Sequence, residues 1–192
     1  MKLVFATGNP NKIKEVNEML SGGMDIAGLK DIGCHEDVPE TSLTIEGNAL
    51  QKARYVSENY KVNCFSEDTG LEIDALNGEP GVYTAMYAGD QRSAEDNMAK
   101  VIKNLKNKTD RGAQFKTVIA LILDGKEYTF EGIARGTISH HKMGTEGFGY
   151  DPIFIPTGYE TSFAQMSAEV KNKISHRGKA VRLLIDFLAK IN

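Results

Sequence analysis

The 192-residue sequence has no tryptophan, only two cysteines and five prolines, and no long apolar run. Two isolated cysteines, Cys34 and Cys64, make no disulfide framework of the kind that staples small secreted domains, so they read as reduced cytosolic thiols. No segment approaches the ~20 apolar residues that span a bilayer. Leu3-Val4-Phe5-Ala6 after Met1-Lys2 is too short for the apolar core of a signal peptide. Neither sign of charge dominates: 23 Lys+Arg stand against 26 Asp+Glu, a formal net charge of −3. That balance argues against a coat for nucleic-acid polymers and against a membrane-surface binder. The Cys34-His35-Glu36-Asp37 cluster lacks the paired ligand spacing of a zinc site and is read as structural. A compact cytoplasmic protein is what remains.

What is present is ordinary globular material, with 41% hydrophobic and 26% charged residues. No repeat, low-complexity tract or linker interrupts it, so one domain spanning residues 1–192 is expected. Leu3 to Ala6 reads as a buried strand. Pro10 suits the first turn of a helix carrying Ile13, Val16, Met19 and Leu20, which Gly22-Gly23 would stop. A second helix is expected from Ile45 to Tyr60 with Ala49, Ala53, Val56 and Tyr60 on one face. Asn63 to Glu67 reads as a strand delivering Glu67-Asp68-Thr69-Gly70 at its end. Ser93 resembles the cap of a helix bearing Met98, Val101, Ile102 and Leu105. Phe115 to Leu123, the turn Asp124-Gly125 and Glu127 to Ile138 form a hairpin. Ser175 is read as the cap of a last helix with the stripe Val181, Leu184, Ile185, Leu188 and Ile191. Mixed helices and strands around a central hairpin predict an α/β fold with a mixed sheet.

Four segments carry candidate chemistry. Thr7-Gly8-Asn9-Pro10-Asn11-Lys12 lies between a strand and a helix, where glycine admits a ligand and helix-start N–H groups attract phosphate. It is not a Walker A loop, and read alone it also matches a plain turn. Glu40, Glu67 and Asp68 are oxygen donors suited to Mg²⁺, and an acid near such an ion can accept a proton from water. Read alone, they also fit a solvated acidic surface, and Lys52 fits a charged helix face. Gly144 to Pro152 surrounds Phe148 and Tyr150 with glycines and ends in Asp151-Pro152; Phe148 is either a stacking platform for a base or a buried ring in a bulged turn. Lys171 and Ser175-His176-Arg177-Gly178 form a polar knot at the start of the last helix.

The order T-G-N-x-x-K, E-T with N-A-x-x-K-A, D-[ST]-G, F-G-Y-D-P and I-S-H-R-G resembles the inosine triphosphate pyrophosphatase family from Thr7 to Gly178. The resemblance implies an elongated mixed β-sheet with flanking helices, two lobes around a nucleotide cleft, and a homodimer. It implies hydrolysis of the non-canonical purine nucleoside triphosphates ITP, dITP and XTP to monophosphate and pyrophosphate. Thr7, Gly8, Asn9, Pro10, Asn11 and Lys12 would hold the triphosphate. Glu40 and Asp68 would hold Mg²⁺, Asp68 would accept the water proton, Lys52 would face the phosphates, and Thr69 would lie near the nucleotide. Phe148, Gly149, Tyr150, Asp151, Lys171, His176 and Arg177 would form the base pocket, with Phe148 stacking. Glu67 departs from the family's usual Asp, and Gly47 stands where many relatives carry Glu, with Glu46 about 100° away around the helix.

Water attacking the α-phosphorus would release pyrophosphate, whose developing charge Lys12 and Lys52 would offset. A donor aimed at the 6-keto oxygen would meet adenine's amino group as a clash, whereas GTP shares that keto group. Lys12, Lys52, Lys171 and Arg177 gathered together would make a locally basic pocket despite the near-neutral chain. Other readings are a pyrophosphatase for modified pyrimidine or canonical triphosphates, a nucleotide-binding regulator without turnover, and a haloacid-dehalogenase-type phosphatase. The last lacks its D-x-D pattern at Asp68-Thr69-Gly70.

Overall fold

A computed structural model describes residues 2–20 and 25–191. Strand β1 (Lys2–Phe5) leads into helix α1 (Pro10–Leu20), and β2 (Asp25–Gly28) follows; the stop read at Gly22-Gly23 lies outside the described residues. Helix α2 (Ile45–Tyr60) has the expected bounds, with Thr44 Oγ1 accepting from the Gly47 N–H at its start. Next come β3 (Cys64–Ile73), the short β4 (Pro80–Gly81) and α3 (Ala94–Asn104), whose cap Ser93 accepts from the Asp96 N–H at 3.2 Å. The long strands β5 (Gly112–Leu123) and β6 (Lys126–Ile138) are joined at Asp124 and Gly125. Both turn residues have positive φ, the geometry a two-residue hairpin needs. Strand β7 (Phe154–Pro156), α4 (Ala168–Ile174) and α5 (His176–Ile191) complete the chain.

The strands form one mixed sheet in the order β2-β1-β3-β5-β6-β7, with β4 paired to β3. β1 runs parallel to β2 and β3, while β4 and β7 are antiparallel to β3 and β6. The α/β class with a mixed sheet is therefore as the sequence predicts. The chain divides into two compact units. Unit 1 comprises Met1–Asp68, Thr117–Gly132 and Arg177–Asn192; unit 2 comprises Thr69–Lys116 and Ile133–His176.

In unit 1 the strand alternation sorts the two faces. Odd-numbered Leu3, Phe5, Phe65, Ile119 and Leu121 pack with Val16 and Leu20 of α1 and with Val181, Leu184 and Leu188 of α5. Phe5 stacks on Phe65 at 4.5 Å. Even-numbered Cys64 and Ser66 instead donate to the Ala53 and Ala49 carbonyls of α2. Of the stripe read on α5, Ile191 lies at the exposed end. The core of unit 2 joins Leu71, Ile73, Met98, Val101, Phe115, Phe154 and Phe163.

β3 is longer than expected. It runs through Glu67-Asp68-Thr69-Gly70 to Ile73, so the acids sit in mid-strand rather than at a strand end. Leu71 and Ile73 find buried neighbours beyond Gly70, and that burial carries the strand on.

Close backbone approach leaves no space for a side chain at some glycines. Gly136 of β6 lies opposite Pro156 of β7, and a Cβ there would come within 2.3 Å of the Ile155 carbonyl oxygen. Gly136→Ala is predicted to cost about 1–3 kcal/mol in equilibrium urea unfolding. Gly8→Ala, where a Cβ meets nothing within 4 Å, should change stability by less than about 0.5 kcal/mol.

Candidate active site

The loop from Thr7 to Lys12 joins β1 to α1 and is organised by its own side chains. Thr7 Oγ1 accepts from the Asn9 N–H at 3.2 Å. Asn9 Oδ1 accepts from the N–H groups of Asn11 and Lys12 at 3.0 and 3.3 Å. Pro10 has no N–H to offer, and the Ile13 N–H goes to the Asn9 carbonyl. The helix-start donors expected to await a phosphate are therefore capped by Asn9, which an incoming anion has to displace.

Glu67 and Asp68, adjacent on β3, serve opposite faces of unit 1. Asp68 points to the α2 face, where Lys52 Nζ lies 3.3 Å from its Oδ1 and Asn48 Nδ2 lies 3.5 Å from its Oδ2. Lys52 also pairs with Glu40. Lys52 is almost fully buried rather than part of a solvated helix face. Burial pushes the Asp68 carboxyl up, helped by Glu40 and opposed by Lys52 and Lys12. Burial works against the Lys52 ammonium, but Asp68 and Glu40 outweigh it and raise its proton affinity. Asn48 lies one helical turn before Lys52, and its Oδ1 also accepts from the Ser42 N–H at 2.8 Å. Its place in the N-A-x-x-K-A segment was the available signal for this role.

On the other face, Glu67 has no solvent exposure and accepts from Arg177 Nε and Nη2 at 2.7 and 3.0 Å. Lys12 Nζ lies 3.0 Å from its Oε1, and Arg177 Nη1 donates to Glu15 at 2.5 Å. Burial would raise Glu67, but Arg177 and Lys12 overcome it and hold the carboxyl well below the usual range. Arg177 thus stands with the unit 1 acids, engaged through all three guanidinium nitrogens. No sequence motif announced Glu15; its one signal is its place three residues after Lys12 on the same helix.

In unit 2, Lys171 Nζ pairs with Asp151 Oδ2 at 2.6 Å, both side chains being nearly buried. The same oxygen accepts from the Phe148 N–H at 2.9 Å. The ammonium lies 5.3 Å from the Phe148 ring centroid, within cation–π range. Phe148 is half-buried, and Gly147 and Gly149 on either side have φ of 75° and 64°. A Cβ on Gly147 would also strike Asp151 Oδ2. Tyr150 is in the core and donates to the Thr84 carbonyl at 2.7 Å. His176 is buried and stacks on Phe115 at 4.5 Å, while Thr69 is half-buried on β3. Ser175 stands in extended conformation between α4 and α5, and its N–H closes α4 on the Lys171 carbonyl.

The expected locally basic cluster is instead charge-matched. In unit 1 the cations Lys12, Lys52 and Arg177 face the carboxylates of Glu15, Glu40, Glu67 and Asp68, and in unit 2 Lys171 faces Asp151. Buried cations left unmatched would carry a prohibitive desolvation cost. Among the described residues no three His, Cys, Asp or Glu side chains gather as metal ligands. Glu40 and Asp68 share the Lys52 ammonium, however, and two carboxylates fit a hard ion that completes its shell with water and phosphate. Glu67 is spent on two cations and does not belong to that set. At position 47, a Cβ would lie 1.9 Å from Ser42 Oγ and 2.8 Å from Thr44 Oγ1, so an acid there would have no room without moving them. Glu46 is exposed. In the Cys34–Asp37 segment, Glu36 accepts from Tyr60 and Tyr55 at 2.6 and 3.0 Å, which draws its carboxyl down to about 2. Cys34 and Cys64 are both free and buried.

A sequence model of the Ham1 family matches residues 3–187. The dITP/XTP pyrophosphatase of Flavobacterium johnsoniae is 58% identical over 98% of each chain. That of Flavobacterium psychrophilum is 58% identical over 97% of this chain and 98% of its own. The solved structure of the Staphylococcus aureus Ham1 protein superposes with a TM-score of 0.92 at 38% identity, covering all of both chains.

The buried Lys171–Asp151 pair yields a stability test. Lys171→Met should cost about 3–5 kcal/mol in urea unfolding, because it strands a buried carboxylate. Adding Asp151→Asn should recover much of that loss; a double variant as unstable as the single one would contradict this account.

Proposed function

Because this chain belongs to the Ham1 family, we propose that it hydrolyses non-canonical purine nucleoside triphosphates, ITP, dITP and XTP, to the monophosphate and pyrophosphate. The observation that carries the reading is the set of Asp68, Lys52 and Glu40 held together on the α2 face of β3. Water attacks the α-phosphorus, the new P–O bond forms, and the bond to the bridging oxygen breaks to release pyrophosphate. Asp68 takes the proton from that water; its raised proton affinity suits it to the task. Lys52 and Lys12 offset charge developing on the leaving group. Glu40 and Asp68 would hold Mg²⁺, which when bound neutralises phosphate charge. The loop from Thr7 to Lys12 receives the triphosphate, with the Asn9 side chain yielding its N–H groups to phosphate oxygens.

Base recognition is assigned to unit 2. Phe148, Gly149 and Asp151 belong to a loop shaped by positive-φ glycines, and Phe148 offers a face for stacking. The Lys171 ammonium, oriented by Asp151, is a donor with no acceptor capacity. It accepts a 6-keto oxygen as a partner and meets the 6-amino group of adenine as a second donor. Thr69 and His176 belong to the same reading as neighbours of the nucleotide, with Tyr150 anchoring the loop through Thr84. Homodimerisation enters through the family resemblance, and a cytoplasmic location through the two free thiols. Among the described residues no helix is long and apolar enough to cross a membrane.

Two measurements test this function. With Mg²⁺, kcat/KM for ITP, dITP and XTP should exceed that for ATP by roughly 10⁴-fold, with pyrophosphate as first product. Equal turnover of ITP and ATP, or orthophosphate as first product, contradicts the reading. Asp68→Asn should retain nucleotide binding while pyrophosphate release falls by roughly 10²–10⁴-fold; full activity in that variant removes Asp68 from the mechanism.

A further inference from the structure

Glu15 lies outside every motif, yet it closes the most deeply buried charge network of unit 1. Its Oε2 accepts from Arg177 Nη1 at 2.5 Å. The Nε and Nη2 of Arg177 grip both oxygens of Glu67, and Glu67 Oε1 receives the Lys12 ammonium at 3.0 Å. Lys12 and Glu15 are three residues apart on α1 and so share a helix face. The network is therefore a closed circuit: α1 holds Arg177 through Glu15 and holds Glu67 through Lys12. Arg177 is 2% exposed and Glu67 0%, so neither finds water as a substitute partner.

We infer that Glu15 is a positioning residue for Lys12: by anchoring Arg177 it fixes Glu67 as the carboxylate on which the Lys12 ammonium rests. This rests on the reading that the Thr7–Lys12 loop receives the polyphosphate. The bidentate Arg177 grip keeps Glu67 compensated when Lys12 turns to a phosphate, so the lysine leaves without stranding a buried charge. Holding the lysine stem in place beforehand removes part of its ordering cost from the binding step. With Glu15 neutralised, Arg177 loses that anionic anchor, Glu67 is less firmly placed, and Lys12 is less well aimed. Glu67 is thus the carboxylate on which both Lys12 and Arg177 converge.

The test combines Glu15→Gln, which keeps the shape and loses the charge, with Lys12→Ala and with the double variant. Equilibrium binding of inorganic tripolyphosphate with Mg²⁺ is measured by calorimetry, beside kcat and KM for ITP. Glu15→Gln should raise the tripolyphosphate Kd and the ITP KM by about three- to tenfold, with kcat within about twofold. In the Lys12→Ala background the same substitution should add nothing, because its effect passes through that lysine. Unchanged tripolyphosphate binding, a loss confined to kcat, or effects that multiply in the double variant overturns the inference. Should Glu15→Gln fail to fold, Glu15→Asp carries the same test: it keeps the charge on a shorter stem, and any loss of affinity it shows must likewise vanish without Lys12. The tripolyphosphate arm stands apart from substrate identity. A wild-type chain that binds tripolyphosphate but releases no pyrophosphate from ITP overturns the proposed function alone, and one that releases pyrophosphate from ITP but binds no tripolyphosphate overturns this inference alone.

Discussion

A carboxylate with no exposure to water stays ionised in mid-strand only when cations are built around it. Glu67 has two, Arg177 and Lys12, on helices that flank the same face of β3. That single pairing constrains α1, β3 and the start of α5 together. Breaking a buried pair by removing one partner costs about 3–5 kcal/mol, so the three elements hold one another in register more strictly than their apolar contacts alone require. The Phe5–Phe65 stack and the Val16, Val181 and Leu184 cluster supply burial on this face. The ion pair supplies orientation.

The alternation of β3 then separates two kinds of electrostatic work. Odd-numbered Glu67 belongs to a closed, compensated network; even-numbered Asp68 belongs to an open one with Lys52, Glu40 and Asn48. A one-residue slip of the strand would exchange the two faces and place Asp68 where Glu67 meets Arg177 and Lys12. Chain connectivity gives the same segments a second importance. The passages between the two units fall at Asp68/Thr69, Lys116/Thr117, Gly132/Ile133 and His176/Arg177. Two of them lie within recognised motifs, and His176 and Arg177 accordingly have unrelated surroundings, an aromatic stack for one and an acid pair for the other.

Most local structure was legible because its causes are local. The bounds of α2, the Ser93 cap and the Asp124-Gly125 hairpin follow from periodicity, a hydroxyl at the right place, and residues that tolerate positive φ. The extension of β3 to Ile73 was not legible, because it depends on burial of Leu71 and Ile73 against distant segments. The acids and lysines of the site were legible as residue types in a recognised order. Their pairing was not, since Arg177 and Glu67 are far apart in sequence and Glu15 sits in no motif. The Asn9 cap was hidden for a different reason. A loop that offers N–H groups to a phosphate and one that caps its own helix have the same sequence, and only side-chain geometry tells them apart.

Charge matching explains why a near-neutral composition is compatible with a triphosphate as substrate. In unit 1 Lys12, Lys52 and Arg177 each have a carboxylate partner, and the four carboxylates of that set, Glu15, Glu40, Glu67 and Asp68, outnumber the three cations by one. On the proposed reading a polyphosphate would bind to such a set by exchange: lysines would leave protein carboxylates for phosphate oxygens, and the carboxylates would need another positive partner. Glu67 has one in Arg177, which grips both of its oxygens. Glu40 and Asp68 share Lys52, so drawing that ammonium toward phosphate would weaken the compensation of both. On the proposed reading Glu40 and Asp68 would hold a divalent ion, whose charge would compensate both carboxylates and favour the ionised form of Asp68. The neighbours Glu67 and Asp68 thus differ, one gripped by a bidentate guanidinium and the other paired with a lysine shared with Glu40. That asymmetry supports the proposal of Asp68 rather than Glu67 as the proton acceptor.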